Sequence, residues 1–141
     1  MAKIKVALVE DSPVALEILK RLIDSSDEAE VVGTATEGSQ ALPMIANTRP
    51  DVICTDLDMP GMDGLEFTKQ VMANYPTPVL VVSNAVHPHD VDNIYDLMQA
   101  GALDFFPKPT TGNPTDYDKL TKMLVTKIKV LASKKIRSDS F

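Results

Sequence analysis

Acidic side chains that could do chemistry follow two short apolar runs of the sequence. Glu10 and Asp11 come directly after the run Ile4–Val9, and Asp56 ends a second run that begins at Val52. Apolar runs of this length, bounded by turn residues, are typical of strands buried on both faces. Asp56 is therefore predicted at the carboxyl end of a strand, where open α/β sheets build their sites.

Three carboxylates meeting in one crevice would repel one another, by about 4 kcal/mol for each contact at ~4 Å and an effective dielectric near 20. A divalent cation or Lys108, which follows a later apolar run, could offset that repulsion. Hard oxygen ligands favour Mg²⁺ over zinc. A carboxylate beside Mg²⁺ and a lysine is a nucleophile suited to phosphorus, with Ser83 placed to bond a phosphoryl oxygen. The chemistry indicated is an aspartyl phosphate on Asp56.

The elements that must position these residues alternate between strand and helix five times along the chain. That alternation predicts a doubly wound α/β fold, with a five-stranded parallel sheet, five helices on its two faces and right-handed crossovers. In the flavodoxin-like strand order 2-1-3-4-5, the first and third strands are neighbours at the topological switch point. Glu10 and Asp11 would then lie beside Asp56.

Local signals set the helix boundaries. Ser12 is predicted to cap the first helix, with Pro13 at its first position, where the missing N–H has no consequence. Pro43 is awkward within a helix over residues 37–47, because it removes a backbone hydrogen bond. If Ser39 caps that helix, we expect a late start or a bend. Gly33, in the second strand, is expected to pack close to a neighbour.

Length and composition narrow the class of protein. The 141 residues suit one domain, which we place at residues 1–133, followed by a polar tail or truncated linker at 134–141. A net charge of −6 argues against direct nucleic-acid binding. No apolar run approaches the ~20 residues of a membrane span, and the start does not resemble a signal peptide. Cys54 is the single cysteine, which favours a reducing cytoplasm and a small buried side chain.

The motifs in their order resemble the full signature of a response regulator receiver domain over residues 3–132. They are Glu10-Asp11, Asp56 with Met59-Pro60-Gly61-Met62-Asp63-Gly64 behind it, Ser83 and Lys108-Pro109. Further stretches are similar to the receiver of chemotaxis-type methylesterases: Glu30 to Ala35, Arg49 to Ile53, Pro76 to Val79 and Gly101 to Phe105. The esterase domain of that group is absent from the sequence, so we do not expect esterase activity.

The resemblance implies a role for each site residue. Asp56 is the phosphoacceptor, and Mg²⁺ is bound by Asp11, Asp56 and the backbone carbonyl of Asp58, with Glu10 acting through a coordinated water. Lys108 pairs with a phosphoryl oxygen. The domain is then not a turnover enzyme on external substrates.

The resemblance also implies a switch and two classes of partner. Ser83 contacts the phosphoryl group, and Ser83 with Phe105 forms the switch pair that changes a partner-binding surface. The donor is a histidine kinase or a phosphotransfer protein. The target is a downstream protein or a fused effector domain, with no membrane and no nucleic acid bound by this domain.

Other interpretations of the same residues are weaker. Asp56-Leu57-Asp58 matches the opening of haloacid-dehalogenase-type phosphatases, which place it after their first strand rather than the third. A flavodoxin-like flavin binder would need a phosphate-cradling first loop, and Glu10-Asp11 would repel a phosphate. A stand-alone regulator and the front end of a longer protein both remain open.

Overall fold

A computed structural model describes residues 3–56, 61–83, 96, 98–107 and 117–133. In chain order its elements are β1 (Ile4–Val9), α1 (Pro13–Asp24), β2 (Ala29–Ala35), α2 (Gly38–Thr48), β3 (Val52–Asp56), α3 (Gly64–Asn74), β4 (Val79–Ser83), α4 (described at residues 96 and 98–100), β5 (Ala102–Pro107) and α5 (Tyr117–Ala132). None of the helices within these ranges is long and apolar enough to cross a membrane.

The strands form one five-stranded sheet in the order β2-β1-β3-β4-β5. Every neighbouring pair is parallel, so the carboxyl ends of all the strands meet at one edge. The predicted doubly wound, flavodoxin-like fold is confirmed. β1 and β3 are neighbours, and their register places Val9 opposite Thr55.

The sheet separates two hydrophobic cores. Alternate residues of each strand point to opposite faces, so Cys54 belongs to the core beneath α1 and α5, and Ile53 to the core beneath α2 and α3. The largest fully buried side chains divide in the same way, with Phe106 in the first core and Phe67 in the second. Both faces of the sheet are covered, which is why its central strands are continuous apolar runs.

The first helix begins as predicted. Ser12 is the N-cap in an extended conformation, its Oγ accepts a hydrogen bond from the Ala15 amide at 3.3 Å, and Pro13 occupies the first turn. The α1 start therefore fixes the backbone immediately after Glu10 and Asp11.

The start of α2 differs from the prediction. The helix begins at Gly38 with Glu37 as its N-cap, and Pro43 lies inside it, so the expected late start is wrong and the alternative, a bend at Pro43, stays a prediction. The Ser39 hydroxyl donates to the Glu37 carboxylate instead of capping a backbone amide. Pro43 leaves the Ser39 carbonyl without its helical donor, but Ser39 is exposed, where water can hydrate that carbonyl.

The expected close approach at Gly33 is confirmed. A Cβ added there would lie 2.6 Å from the sulfur of Met44 in α2, so the Met44 side chain occupies the space that a side chain at position 33 would need. The α2 helix ends at Thr48, and its C-cap, Arg49, adopts the left-handed conformation with φ 49°.

Candidate functional site

The site is built at the carboxyl edge of the sheet, where β1 and β3 end side by side. The Glu10 amide donates to the Ala35 carbonyl at 2.9 Å and so continues the pairing of β1 with β2. Asp56 is the last residue of β3. Both acidic side chains are buried, at 1% exposure for Glu10 and 5% for Asp56, whereas Asp11 is exposed.

The three carboxylates converge as the topology predicts. Glu10, Asp11 and Asp56 each offer one oxygen, and these oxygens lie within 4.8 Å of one another. One Glu10 oxygen, Oε2, accepts the Ser12 amide at 3.0 Å, just before the N-terminus of α1. Negative charge is favoured at a helix N-terminus, so α1 offsets part of the repulsion within the cluster.

These carboxylates fit Mg²⁺. Octahedral Mg²⁺ holds oxygens at about 2.0–2.1 Å, so ligands on opposite sides of the ion lie roughly 4.2 Å apart. Oxygens within 4.8 Å of one another can therefore share one ion after a small side-chain adjustment, or through a coordinated water. An exposed Asp11 beside two buried carboxylates also leaves an open side for water.

A hydroxyl that sequence reasoning did not single out lies next to Asp56. Thr55 is completely buried, and its Oγ1 donates to the backbone carbonyl of Asp56 at 3.1 Å. The signal was present in the sequence, since Thr55 is the single hydroxyl residue in the run from Val52 to Asp56.

Of the other predicted site residues, the structure describes Ser83 and Phe105. Ser83 is the last residue of β4 and pairs in register with Pro107, the last residue of β5, so both strands end at the same edge as β3. Phe105 lies on β5 with 44% of its surface exposed. Asp58 and Lys108 lie outside the described residues. The structure thus brings together Glu10, Asp11 and Asp56, while the remaining roles stay predictions.

Cys54 plays no part in the cluster, although it lies two residues before Asp56. Its side chain is buried in the core, and burial raises the pKa of the thiol from 9.0 to about 12. It is therefore a neutral, weakly reactive thiol, as its place in an apolar run predicted.

The family model of the response regulator receiver domain matches residues 6–122. This chain belongs to the response regulator receiver family. Among solved structures, the receiver is similar to the response regulator domain of Thermotoga maritima CheB, with a TM-score of 0.80 and 32% identity over 94% of this chain and 98% of that one. It is also similar to the signal receiver domain of the response regulator NarL from Mycobacterium tuberculosis, with a TM-score of 0.76 and 32% identity over 92% and 98% of the two chains.

Curated relatives of this receiver are longer proteins. It is 38% identical over 130 residues to a protein-glutamate methylesterase/protein-glutamine glutaminase of Sulfurimonas denitrificans, which covers 92% of this chain and 37% of the relative. It is also 38% identical over 133 residues to one from Syntrophus aciditrophicus, at 94% and 38% coverage. The chain thus spans less than two fifths of these relatives and corresponds to their receiver portion alone.

Proposed function

We propose that this receiver accepts a phosphoryl group on Asp56 from a phosphohistidine of a kinase or phosphotransfer protein. The observation that supports this most directly is the placement of Asp56. It is the one acidic residue of β3, it is nearly buried, and its carboxylate lies with those of Glu10 and Asp11 at the carboxyl edge of the sheet.

In the proposed reaction a carboxylate oxygen of Asp56 attacks phosphorus. The O–P bond of an acyl phosphate forms as the P–N bond to the donor imidazole breaks, and the imidazole leaves with the electron pair of that bond and takes up a proton. Lys108 and Ser83 are proposed to contact the phosphoryl oxygens. This assignment is supported by their positions, because β4 ends at Ser83 and Lys108 directly follows β5.

Asp11, Asp56 and the backbone carbonyl of Asp58 are the proposed ligands of Mg²⁺, with Glu10 acting through a coordinated water. When bound, the ion supplies positive charge that neutralises the incoming phosphoryl oxygens. The protein's own contribution is to hold the carboxylates together before the donor arrives. Burial of Glu10 and its hydrogen bond from the Ser12 amide support that role.

The donor is proposed to dock on a groove between α1 and the start of α5. This groove has a volume of about 350 Å³ and is lined by Pro13, Val14, Glu17, Ile18, Arg21 and Tyr117. It begins two residues after Asp11, and Val14 is 65% exposed, so an apolar partner surface seated there would lie next to the acidic cluster. Val14→Glu is expected to slow phosphotransfer from the protein donor while leaving the reaction with a small phosphodonor unchanged.

The output surface is proposed to lie on α4, β5 and α5. Of the five exposed large hydrophobic side chains among the described residues, four belong to these elements: Met98, Phe105, Met123 and Val130. In the proposed switch, phosphoryl contact draws Ser83 inward, and Phe105 rotates into the space vacated beneath α4. The present exposure of Phe105 supports an outward ring in the unphosphorylated state.

The target of that surface is proposed to be a downstream protein or an effector domain joined through residues 134–141. Names of the curated relatives support a methylesterase domain as one such effector. In this assignment residues 1–133 form the receiver, which turns over no external substrate. The free, reduced thiol of Cys54 supports a cytoplasmic setting.

Intact-mass measurement after treatment with acetyl phosphate and Mg²⁺ tests the acceptor. One added phosphoryl group is expected, and it should be absent when Mg²⁺ is chelated and absent in Asp56→Asn. Asp51→Asn is the matched control, because Asp51 lies just before the other end of β3 and should leave phosphorylation intact. Phosphate retained by Asp56→Asn would refute the assignment.

The switch is tested separately by NMR. Aromatic shifts of Phe105, recorded with and without beryllofluoride, should change together with the Ser83 amide. A shifted Ser83 amide beside an unchanged Phe105 ring would refute the coupled switch and leave the acceptor assignment intact.

A further inference from the structure

The hydroxyl of Thr55 lies in apolar surroundings. Its partners in register on the neighbouring strands are Val9 of β1 and Val81 of β4, and both are 1% exposed. Those valines belong to the core beneath α2 and α3, so the Thr55 side chain points to that face of the sheet. A hydroxyl with no exposed surface must bond to the protein, because burying it without a hydrogen bond is costly.

The bond that Thr55 makes bears on the next residue. Its Oγ1 donates to the carbonyl of Asp56 at 3.1 Å, at the point where β3 ends and the chain continues toward Asp58. The ψ angle of Asp56 sets the direction of its carbonyl relative to its Cα–Cβ bond, so a carbonyl that is held in one direction also limits the directions open to that bond. A hydrogen bond to the Asp56 carbonyl therefore restrains the direction of the Asp56 carboxylate.

We propose that Thr55 is a positioning residue for the phosphoacceptor. From the opposite face of the sheet it holds the last peptide of β3, so that the Asp56 carboxylate stays aimed at those of Glu10 and Asp11. In this proposal Thr55 acts through the Asp56 backbone and not by contact with the phosphoryl group or the metal. The inference rests on the proposed function of Asp56, but two of its three measurements do not depend on phosphorylation.

Two substitutions test the hydroxyl of Thr55 independently of its methyl group. Thr55→Val keeps the branched shape and the β propensity but removes the donor. Thr55→Ser keeps the donor and removes a methyl group. The three measurements are the ¹³C shift of the Asp56 carbonyl without metal, the Mg²⁺ dissociation constant by calorimetry, and the phosphorylation rate with acetyl phosphate. Thermal unfolding of each variant is recorded alongside.

The loss of one hydrogen bond from a positioned group corresponds to about a threefold to tenfold effect. Thr55→Val is therefore expected to weaken Mg²⁺ binding and to slow phosphorylation, each by roughly that factor, and to move the Asp56 carbonyl shift upfield. Thr55→Ser should stay within about twofold of the native protein in both quantities. A merely structural hydroxyl would lower the melting temperature of Thr55→Val and leave the Mg²⁺ affinity and the rate unchanged.

Two results would overturn the proposal. One is a Thr55→Val protein that binds Mg²⁺ as the native protein does. The other is a Thr55→Ser protein that loses as much affinity as Thr55→Val, which would assign the effect to the methyl group. If the native protein itself takes up no phosphate, the proposed function fails, while the Mg²⁺ affinities and the Asp56 carbonyl shift still decide the role of Thr55.

Discussion

Replacing Asp56 with asparagine is expected to make the metal-free protein more stable. The substitution keeps the shape of the side chain and removes one of three negative charges whose oxygens lie within 4.8 Å of one another. Glu10 and Asp56 are both nearly buried, so water and salt screen their repulsion poorly. The Asp56 carboxylate of the native protein therefore lowers the free energy of unfolding in the absence of metal.

The size of the effect follows from Coulomb's law. Two unit charges 4.8 Å apart repel by about 3.5 kcal/mol at an effective dielectric of 20. The Ser12 amide that binds Glu10 and the solvent around exposed Asp11 reduce the repulsion that is realised. We therefore expect a gain of about 1–2 kcal/mol in the free energy of unfolding. For a chain of this length that gain corresponds to a rise of roughly 3–8 °C in melting temperature.

Thermal and urea unfolding, followed by circular dichroism in a chelator and then in Mg²⁺, measure the effect. Mg²⁺ at ten times its dissociation constant should stabilise the native protein by about 1.4 kcal/mol, and Asp56→Asn by much less, because a ligand is lost. Glu30→Gln is the matched control, since it removes one negative charge from an exposed position on β2. It should change stability little.

An Asp56→Asn protein that is no more stable than the native protein in chelator would contradict the predicted repulsion. Equal stabilisation by Glu30→Gln would also contradict it, because the effect would then reflect net charge rather than the cluster. If Mg²⁺ stabilised the native protein and Asp56→Asn equally, Asp56 would not be a ligand of the metal.

Three further outcomes are expected. Burial raises the pKa of the Cys54 thiol from 9.0 to about 12, so the thiol loses its proton at a lower pH in the unfolded chain than in the folded protein. The buried neutral thiol therefore contributes fully to stability below pH 9, and this contribution falls between pH 9 and 12. Unfolding as a function of pH should show a shallower decline over that window in Cys54→Ala than in the native protein. Gly33→Ala should lower the free energy of unfolding by about 1–3 kcal/mol, because the added methyl group clashes with Met44. The loss should be much smaller in a protein that already carries Met44→Ala, and a double-mutant cycle of urea unfolding measures this difference. Arg49→Gly should stabilise by about 0.5–1 kcal/mol, because glycine adopts the left-handed conformation without strain, and a lower urea midpoint would contradict this.

The fold was predictable because the alternation of strands and helices and the strand order of a doubly wound sheet both apply to this sequence. Apolar runs alternating with helical patterns fix a parallel sheet, and the strand order then places β1 beside β3. The convergence of Glu10, Asp11 and Asp56 follows from that adjacency, although Asp56 lies 46 residues after Glu10 in the chain. Sequence spacing alone contains no such information.

Competing side-chain hydrogen bonds were not predictable. Both Glu37 and Ser39 could begin α2; in the structure Glu37 is the N-cap, and the Ser39 hydroxyl donates to the Glu37 carboxylate. The hydrogen bond of Thr55 was also not predictable, because a threonine in an apolar strand is ordinarily explained by the β propensity of its branched side chain. Its donated hydrogen bond depends on backbone geometry at the end of β3 that a residue pattern does not specify.

The division of the interior by the sheet also bears on how substitutions combine. Side chains beneath α1 and α5 form one packed group and those beneath α2 and α3 another, with the sheet backbone between them. Among the described residues the two groups have no member in common, so the free energies of changes confined to different groups should add, whereas changes within one group should be strongly interdependent. The two layers can therefore diverge, or be redesigned, one at a time: Phe67 and its neighbours could be rebuilt while the groove beside α1 keeps its shape.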